Sequence, residues 1–167
     1  MEQRLLGGTV KLDIIVPSEK HAEPISALIV ALMDAFLEPG ADPSVFLDTI
    51  SAEAEARYLR DPRYWFRIAL LDGVFAGVIA LRDRCHLVHL FISPQVQRSG
   101  IGTALWQAAL TQFIEWQTPR VTVNAAPLAV PFYERLGFRS THPMKSEHGV
   151  RICPMALELT SEREVQK

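Results

Sequence analysis

The chain has 167 residues, which suits one domain with a single sizeable core and leaves no room for a second ordinary one. Apolar residues make up 49% and charged residues 22%, and the net charge is −2, so no general pull toward nucleic acid or anionic membrane is expected. Cys85 and Cys153 lack C-x-x-C spacing and indicate neither a disulfide framework nor a zinc site.

Met1 to Gly8 holds too short an apolar stretch for a signal peptide, and no later segment reaches the ~20 apolar residues of a spanning helix, so a cytoplasmic protein is expected. From Val10 to Val16 apolar and polar residues alternate, as in a first strand. Ser18 is placed to cap a helix from Glu19 to Leu37, whose Ile25, Leu28, Ile29, Leu32 and Phe36 recur at helical spacing before Pro39 and Gly40. Ser44 to Leu59 reads as a second helix, ended near Asp61 and Pro62. Tyr64–Leu71 and Val74–Arg82 read as strands joined by Asp72-Gly73, a strong hairpin signal. His86–Ile92 is the fourth strand, and Gly100 to Trp116 a third helix whose Ile101, Leu105, Ala109 and Phe113 mark a core face. Val121 to Asn124 is a fifth strand and Pro127 to Leu136 a fourth helix closed by Gly137, where a positive φ is favoured. Phe138 to His142 and Val150 to Leu159 are the last strands. Their connection, Pro143 to Gly149, reads as a mobile turn, and the polar tail Ser161 to Lys167 as frayed.

Between the fourth strand and the third helix stands Gln97-Arg98-Ser99-Gly100-Ile101-Gly102-Thr103. Two glycines two apart let the main chain approach a ligand and adopt φ values closed to other residues. The helix that follows aims unpaired N–H groups and a positive dipole end at the same place, as an anion site requires. No Lys-Ser/Thr pair follows, as in a P-loop, and no third glycine, as in a dinucleotide fold. The pattern Q-x-x-G-x-G alone is as compatible with a plain strand-to-helix turn.

The flanks, Leu87 to Pro94 before and Ala104-Leu105-Trp106 after, make the stretch resemble motif A of the GNAT superfamily of acyl-CoA-dependent N-acyltransferases. Val121 to Asn124 and then Ala129-Val130-Pro131-Phe132-Tyr133-Glu134-Arg135-Leu136-Gly137-Phe138 resemble motif B, in the right order and spacing. Gly149 to Met155 resembles the last strand of many bacterial members, so the likeness spans roughly residues 60–158. It implies a single N-acetyltransferase domain over residues 1–167. The implied fold is α/β (α+β), a mixed, mostly antiparallel seven-stranded sheet with four helices on both faces.

The resemblance also implies the site. Main-chain N–H groups of Gln97, Arg98, Ser99, Gly100, Ile101, Gly102 and Thr103 would hold the pyrophosphate of acetyl-CoA, a co-substrate; the family usually has glycine where Arg98 stands. Leu90, Phe91 and Ile92 would offer unpaired main-chain groups to the pantetheine arm and the thioester oxygen, a donor type worth ~3 kcal/mol in the transition state. Asn124 would either bond the pantetheine or cap the next helix. Tyr133 would reach the sulfur as general acid, a phenol being protonated at neutral pH; the alternative is a tyrosine packed under the sheet. His86, eleven residues before Gln97, stands at a family base register; the alternative is a structural histidine.

Strand alternation puts His86 with Val88 and Leu90 on one face, and Cys85, Leu87 and His89 on the other. His89 is thus the weaker candidate base. The same parity argues against a Cys85/His86 dyad and a His86/His89 metal pair, and no metal site is expected. Asp34, Glu38 and Asp42 would draw a cationic amine or form a solvated acidic face. The implied activity is acetyl transfer to a primary amine, on a small molecule or peptide, by a monomer or homodimer with no nucleic-acid or membrane partner. The competing class is an acyl-CoA-binding module without turnover.

Overall fold

The computed structural model describes residues 2–5 and 8–159, so the tail 161–167 and part of the segment 1–8 lie outside the described residues. The sequence expectation began with a strand near Val10, but two strands stand there, β1 (Glu2–Leu5) and β2 (Gly8–Ile15), paired antiparallel. β2 then pairs with β3 (Tyr64–Leu71), and β3 with β4 (Val74–Arg82). Asp72 and Gly73 take φ of 49° and 80°, the left-handed pair that a two-residue hairpin needs.

β4 carries the fold's two-sidedness. Ile79 and Leu81 are wholly buried on one face, against α4 (Ile101–Glu115); Val78 and Ala80 are wholly buried on the other, against α1 (Ala22–Leu32). Each such side chain taken from water contributes about 1.5–3 kcal/mol where it is Val size or larger. On the α4 side Leu105, Trp106 and Phe113 fill the layer; on the α1 side Ile25, Ile29, Phe66 and Ile68 do.

The sheet continues through β5 (His86–Ile92), parallel to β6 (Arg120–Ala125), which pairs antiparallel with β9 (Val150–Glu158). β7 (Arg139–Ser140) pairs with β9, and so does β8 (Lys145–Glu147). The ladder therefore runs β1-β2-β3-β4-β5-β6-β9-β7, with β8 off the path. It is the expected mixed, mostly antiparallel sheet with helices on both faces, with β1 and β8 as additional strands. The segment 143–149 is thus no plain turn. Its His148 and Gly149, at φ 51° and 78°, turn a second hairpin.

Two expected helices are interrupted. The first ends at Leu32 in a 3-10 turn, Met33–Ala35, because the following chain pairs with the β8–β9 hairpin: Glu38 N donates to Gly149 O at 2.8 Å. The second splits into α2 (Ser44–Thr49) and α3 (Ala52–Arg60), since Ser51 caps α3 by accepting from Ala54 N at 3.2 Å. The break turns Ile50, Ala54 and Glu55 inward. Near the other end, a 3-10 turn at Pro127–Ala129 precedes α5 (Val130–Arg135), and Gly137 closes it at φ 97°.

Parity on β5 also differs from simple alternation. His89 pairs with Ala80 and Leu87 with Leu81, so Val88 is the extra residue of a bulge. Leu87 and Leu90 consequently pack on the α4 side, while Val88, His89 and Phe91 pack on the α1 side. His86, opposite Arg82, joins that second group. Among the described residues no helix is long and apolar enough to cross a membrane.

Candidate active site

The loop after β5 is held by its own polar groups. Ser93 N donates to Ala76 O at 2.8 Å, Gln97 Nε2 to Ile92 O at 3.2 Å, and the Ser99 hydroxyl to Val96 O. Arg98 and Gly100 take φ of 62° and 85°, and α4 starts at Ile101 with Gly100 as its N-cap. Only the first of the two glycines uses the left-handed region. Gly102 is helical, and a Cβ there would meet Ile92 and Phe132 at an ordinary 3.7 Å. The main-chain N–H groups from Gln97 to Thr103 donate to no acceptor among the described residues. Those free donors stand at the positive end of a 15-residue helix, an arrangement with the chemistry to accept an anion.

β5 and β6 pair only at His86↔Thr122 and Leu87↔Val123, then separate. A cleft of about 410 Å³ opens between them. Leu90 and Phe91 line one wall, Asn124, Ala125 and Ala126 the other, and Tyr133 of α5 lines it as well. Ile92 lies outside this lining and packs toward the α4-side core. With β6 gone, main-chain groups on that edge of β5 are free to meet an extended ligand. Asn124 does not cap the next helix, whose flanking positions Ala126 and Ala129 carry no capping side chain. It stays within β6, opposite Pro154.

Tyr133 is 5% exposed, with Phe132 and Phe138 edge-on at 5.4 Å. Burial pushes its phenol well above the ordinary value, so it stays protonated throughout the physiological range. Its hydroxyl makes no hydrogen bond among the described residues.

His86 is placed elsewhere. Its Nδ1 is 2.7 Å from Thr122 Oγ1, and it lines a second cavity of about 510 Å³ with Thr141, His142 and Lys145. Burial, then the Arg82 charge, lower its pKa, with Asp83 opposing. The two expected catalytic side chains, His86 and Tyr133, therefore do not share a cavity.

His89 shares one with Tyr133. The bulge sends its ring into the α1-side face, where Nε2 lies 3.1 Å from Glu55 Oε1. Glu55 is wholly buried on α3, and its Oε2 has no partner among the described residues. Sequence reasoning did not single out Glu55. The available signal was its phase: it stands three and four residues before Tyr58 and Leu59, on the apolar stripe of its helix.

The rest of the cleft is aromatic and cationic. Phe36, Phe46, Tyr58 and Tyr64 line it together with Arg82 and Arg151. Asp34, Glu38 and Asp42, read from sequence as drawing a cationic amine or forming a solvated acidic face, are not part of this lining. Glu38 accepts from the Ser146 hydroxyl, Asp42 accepts from Ser44 N at 2.9 Å, and Asp34 stands in the 3-10 turn after α1. Among the described residues no group of three His, Cys, Asp or Glu side chains is placed to hold a metal ion.

A family model described as an acetyltransferase (GNAT) domain matches residues 27–159. No curated protein matches the sequence. Among solved structures, the fold is similar to that of the PaiA N-acetyltransferase from Thermoplasma acidophilum in complex with coenzyme A. The TM-score there is 0.72 at 15% identity, over 89% of this chain and 99% of that one. A GCN5-related N-acetyltransferase from Rhodopseudomonas palustris superposes at TM-score 0.72 and 20% identity, over 93% and 99% of the two chains. The ribosomal-protein-S18-alanine N-acetyltransferase from Escherichia coli superposes at 0.63 and 16% identity, over 94% and 99%.

Proposed function

Because the chain belongs to the GNAT acetyltransferase family, we propose that it transfers the acetyl group of acetyl-CoA to a primary amine, as one domain spanning the chain. The observation that carries this reading is the opening between β5 and β6, a cleft lined by Leu90, Phe91, Asn124 and Tyr133, together with the free N–H groups at Gln97–Thr103 in the loop that leaves the same strand. The residues fit the co-substrate. The amides of Gln97 to Thr103 hold its pyrophosphate, and the free edge of β5 at Leu90 and Phe91, with Asn124 opposite, takes the pantetheine arm. One of these β5 amides donates to the thioester oxygen, where negative charge develops during attack.

The amine nitrogen bonds the acetyl carbon as the carbon–sulfur bond breaks. Tyr133 gives its proton to the departing sulfur, and the nitrogen loses one. A phenol held protonated by burial is suited to the first of these transfers.

The acceptor reading follows from the cleft lining. Aromatic rings, two guanidinium groups and no carboxylate line it among the described residues. Such a surface suits a single amine on an apolar or aromatic body, including a peptide N-terminus, and repels a polycation. Both cysteines are free thiols, which suits the reducing cytoplasm.

Calorimetric titration with acetyl-CoA, CoA and ATP, followed by thiol release with 2-phenylethylamine and with spermidine, tests the reading. Tight binding of acetyl-CoA and CoA over ATP, with faster thiol release for the aromatic monoamine, is expected. Binding without thiol release from any amine favours an acyl-CoA-binding module instead. Equal or tighter ATP binding overturns the cradle assignment.

A further inference from the structure

We propose that His89 takes the proton from the acceptor amine, and that Glu55 is the positioning residue that fixes the His89 ring for this task. The inference rests on the acetyl-transfer reading above. His89 and Tyr133 line the same cleft, so one group that accepts a proton and one that donates it face a single reaction space. The His89–Glu55 pair sits at 3.1 Å with the carboxylate wholly buried.

A neutral His89 that donates Nε2–H to the carboxylate keeps its lone pair on Nδ1. Glu55 thereby selects the tautomer, and the Phe66 and Phe91 rings, 6.2 and 5.8 Å away, pack against the imidazole. Burying a carboxylate with one oxygen unpartnered is costly, and an aliphatic residue at 55 would avoid that cost entirely. The retained carboxylate gains its use when His89 becomes cationic, because the ion pair then forms in a low-dielectric pocket. The step balances: the amine's N–H electron pair stays on nitrogen as the N–C bond forms, and the proton goes to Nδ1. The C–S electron pair leaves with sulfur, which takes the Tyr133 proton; water returns His89 and Tyr133 to their starting states.

Several charged or titratable groups surround this ring. Glu55 of α3 bonds it, and Tyr58 of α3, Tyr64 of β3, Arg82 of β4, Tyr133 of α5 and Arg151 of β9 line the same cleft, whereas His86 of β5 lines the other cavity. α1 offers only apolar side chains on this side, Ile25, Leu28, Ile29 and Leu32.

The test follows thiol release from acetyl-CoA from about pH 5 to about pH 8, with 2-phenylethylamine and with water alone as acceptor. His89→Gln, Glu55→Gln and Glu55→Asp are compared with the parent, alongside thermal melts and acetyl-CoA titration. His89→Gln keeps the size of the side chain where His89→Ala risks misfolding. It is expected to lose roughly 10²-fold in kcat and the acidic limb of the profile, with acetyl-CoA affinity kept within a few-fold. Glu55→Gln, which can turn an amide N–H toward Nε2 and force the other tautomer, is expected to lose roughly tenfold or more. Glu55→Asp is expected to recover part of that loss. Folded His89→Gln with the parent's kcat and acidic limb overturns the inference and leaves the transferase reading standing. Failure of the parent to bind acetyl-CoA overturns both.

Discussion

His86 and His89, three residues apart on β5, present their rings to the same face of the sheet and yet line separate cavities. Only a bulge between them permits the first fact, and Val88 is that bulge. The second follows from the partners. Thr122 holds His86 beside β6 and Glu55 holds His89 under α3. Divergence of β5 from β6 begins between these two histidines, so the position nearer the opening, not the one nearer the strand start, lines the cleft that Tyr133 also lines.

Tyr133→Phe is expected to lower kcat by ~10²-fold while acetyl-CoA affinity stays within a few-fold. The hydroxyl makes no hydrogen bond among the described residues, and the ring keeps its contacts with Phe132 and Phe138, so the thermal midpoint should hardly move. Steady-state thiol release and calorimetry on the same preparation read both quantities. Unchanged turnover removes Tyr133 from the mechanism.

His86 predicts a pH dependence of stability. Burial and Arg82 hold its imidazole below the ordinary value, so the unfolded chain, titrating near about 6.5, binds a proton at higher pH than the folded one. The stability contributed by the neutral ring is therefore complete above that value. It is lost as pH falls from there toward the folded-state value, with no further loss below it. His86→Gln should remove this share of the acid-side slope in a series of urea midpoints at stepped pH. An unaltered slope in the variant shows that the ring does not titrate differently on unfolding.

The buried pair predicts non-additive stability. His89→Leu alone leaves the Glu55 carboxylate buried without a partner, an arrangement that costs about 3–5 kcal/mol, and Glu55→Met alone leaves the His89 Nε2 without its acceptor. Glu55→Met with His89→Leu removes the charge and fills the space, and should restore the parent's stability or exceed it while turnover stays lost. Urea denaturation of the two single variants and the double variant measures the coupling. A double variant as unstable as the sum of the singles shows that the two side chains do not interact.

Most of the sheet was legible where local chemistry decides local structure. Asp72-Gly73 fixes the β3–β4 hairpin, since both positions need positive φ and these residues supply it at small cost. The turn between β5 and α4 was legible for the same reason, with Gly100 supplying a positive φ at the helix start. What escaped was set by contacts distant in sequence. The break at Ile50-Ser51 combines a local cap, Ser51 accepting from Ala54 N three residues on, with the burial of Ile50 in the core, and only the second depends on distant residues. β8 exists because β9 offers it an edge, although its own residues Lys145, Ser146 and Glu147 carry no strand pattern. The bulge at Val88 was the most consequential. Alternation on β5 gives no sign of it, and one extra residue moves His89 from the α4 side to the cleft.

The cradle predicts that two neighbouring substitutions will separate backbone strain from ligand contact. Arg98 holds φ at 62°, a conformation that costs a residue with a side chain roughly 1 kcal/mol or more. Arg98→Gly should therefore raise the thermal midpoint, and CoA affinity should fall only modestly, because the amides at the start of α4 remain to hold the anion. Gly100→Val is a mixed test, since a β-branched residue at φ 85° strains the fold as well. Gly102→Val is the cleaner one. That backbone is helical, so no positive φ is asked of the new residue, and its Cβ meets Ile92 and Phe132 at an ordinary 3.7 Å; the thermal melt reads what the two further methyl groups cost the fold. Its added methyl groups crowd the amides that face the pyrophosphate, and CoA should bind roughly tenfold or more weakly, about 1.4 kcal/mol. Pantetheine, which lacks the pyrophosphate, should bind the parent and Gly102→Val alike. Titration with CoA and with pantetheine, beside thermal melts of each variant, makes the comparison. The cradle assignment fails if Gly102→Val binds CoA as tightly as the parent, or if it loses pantetheine affinity to the same degree.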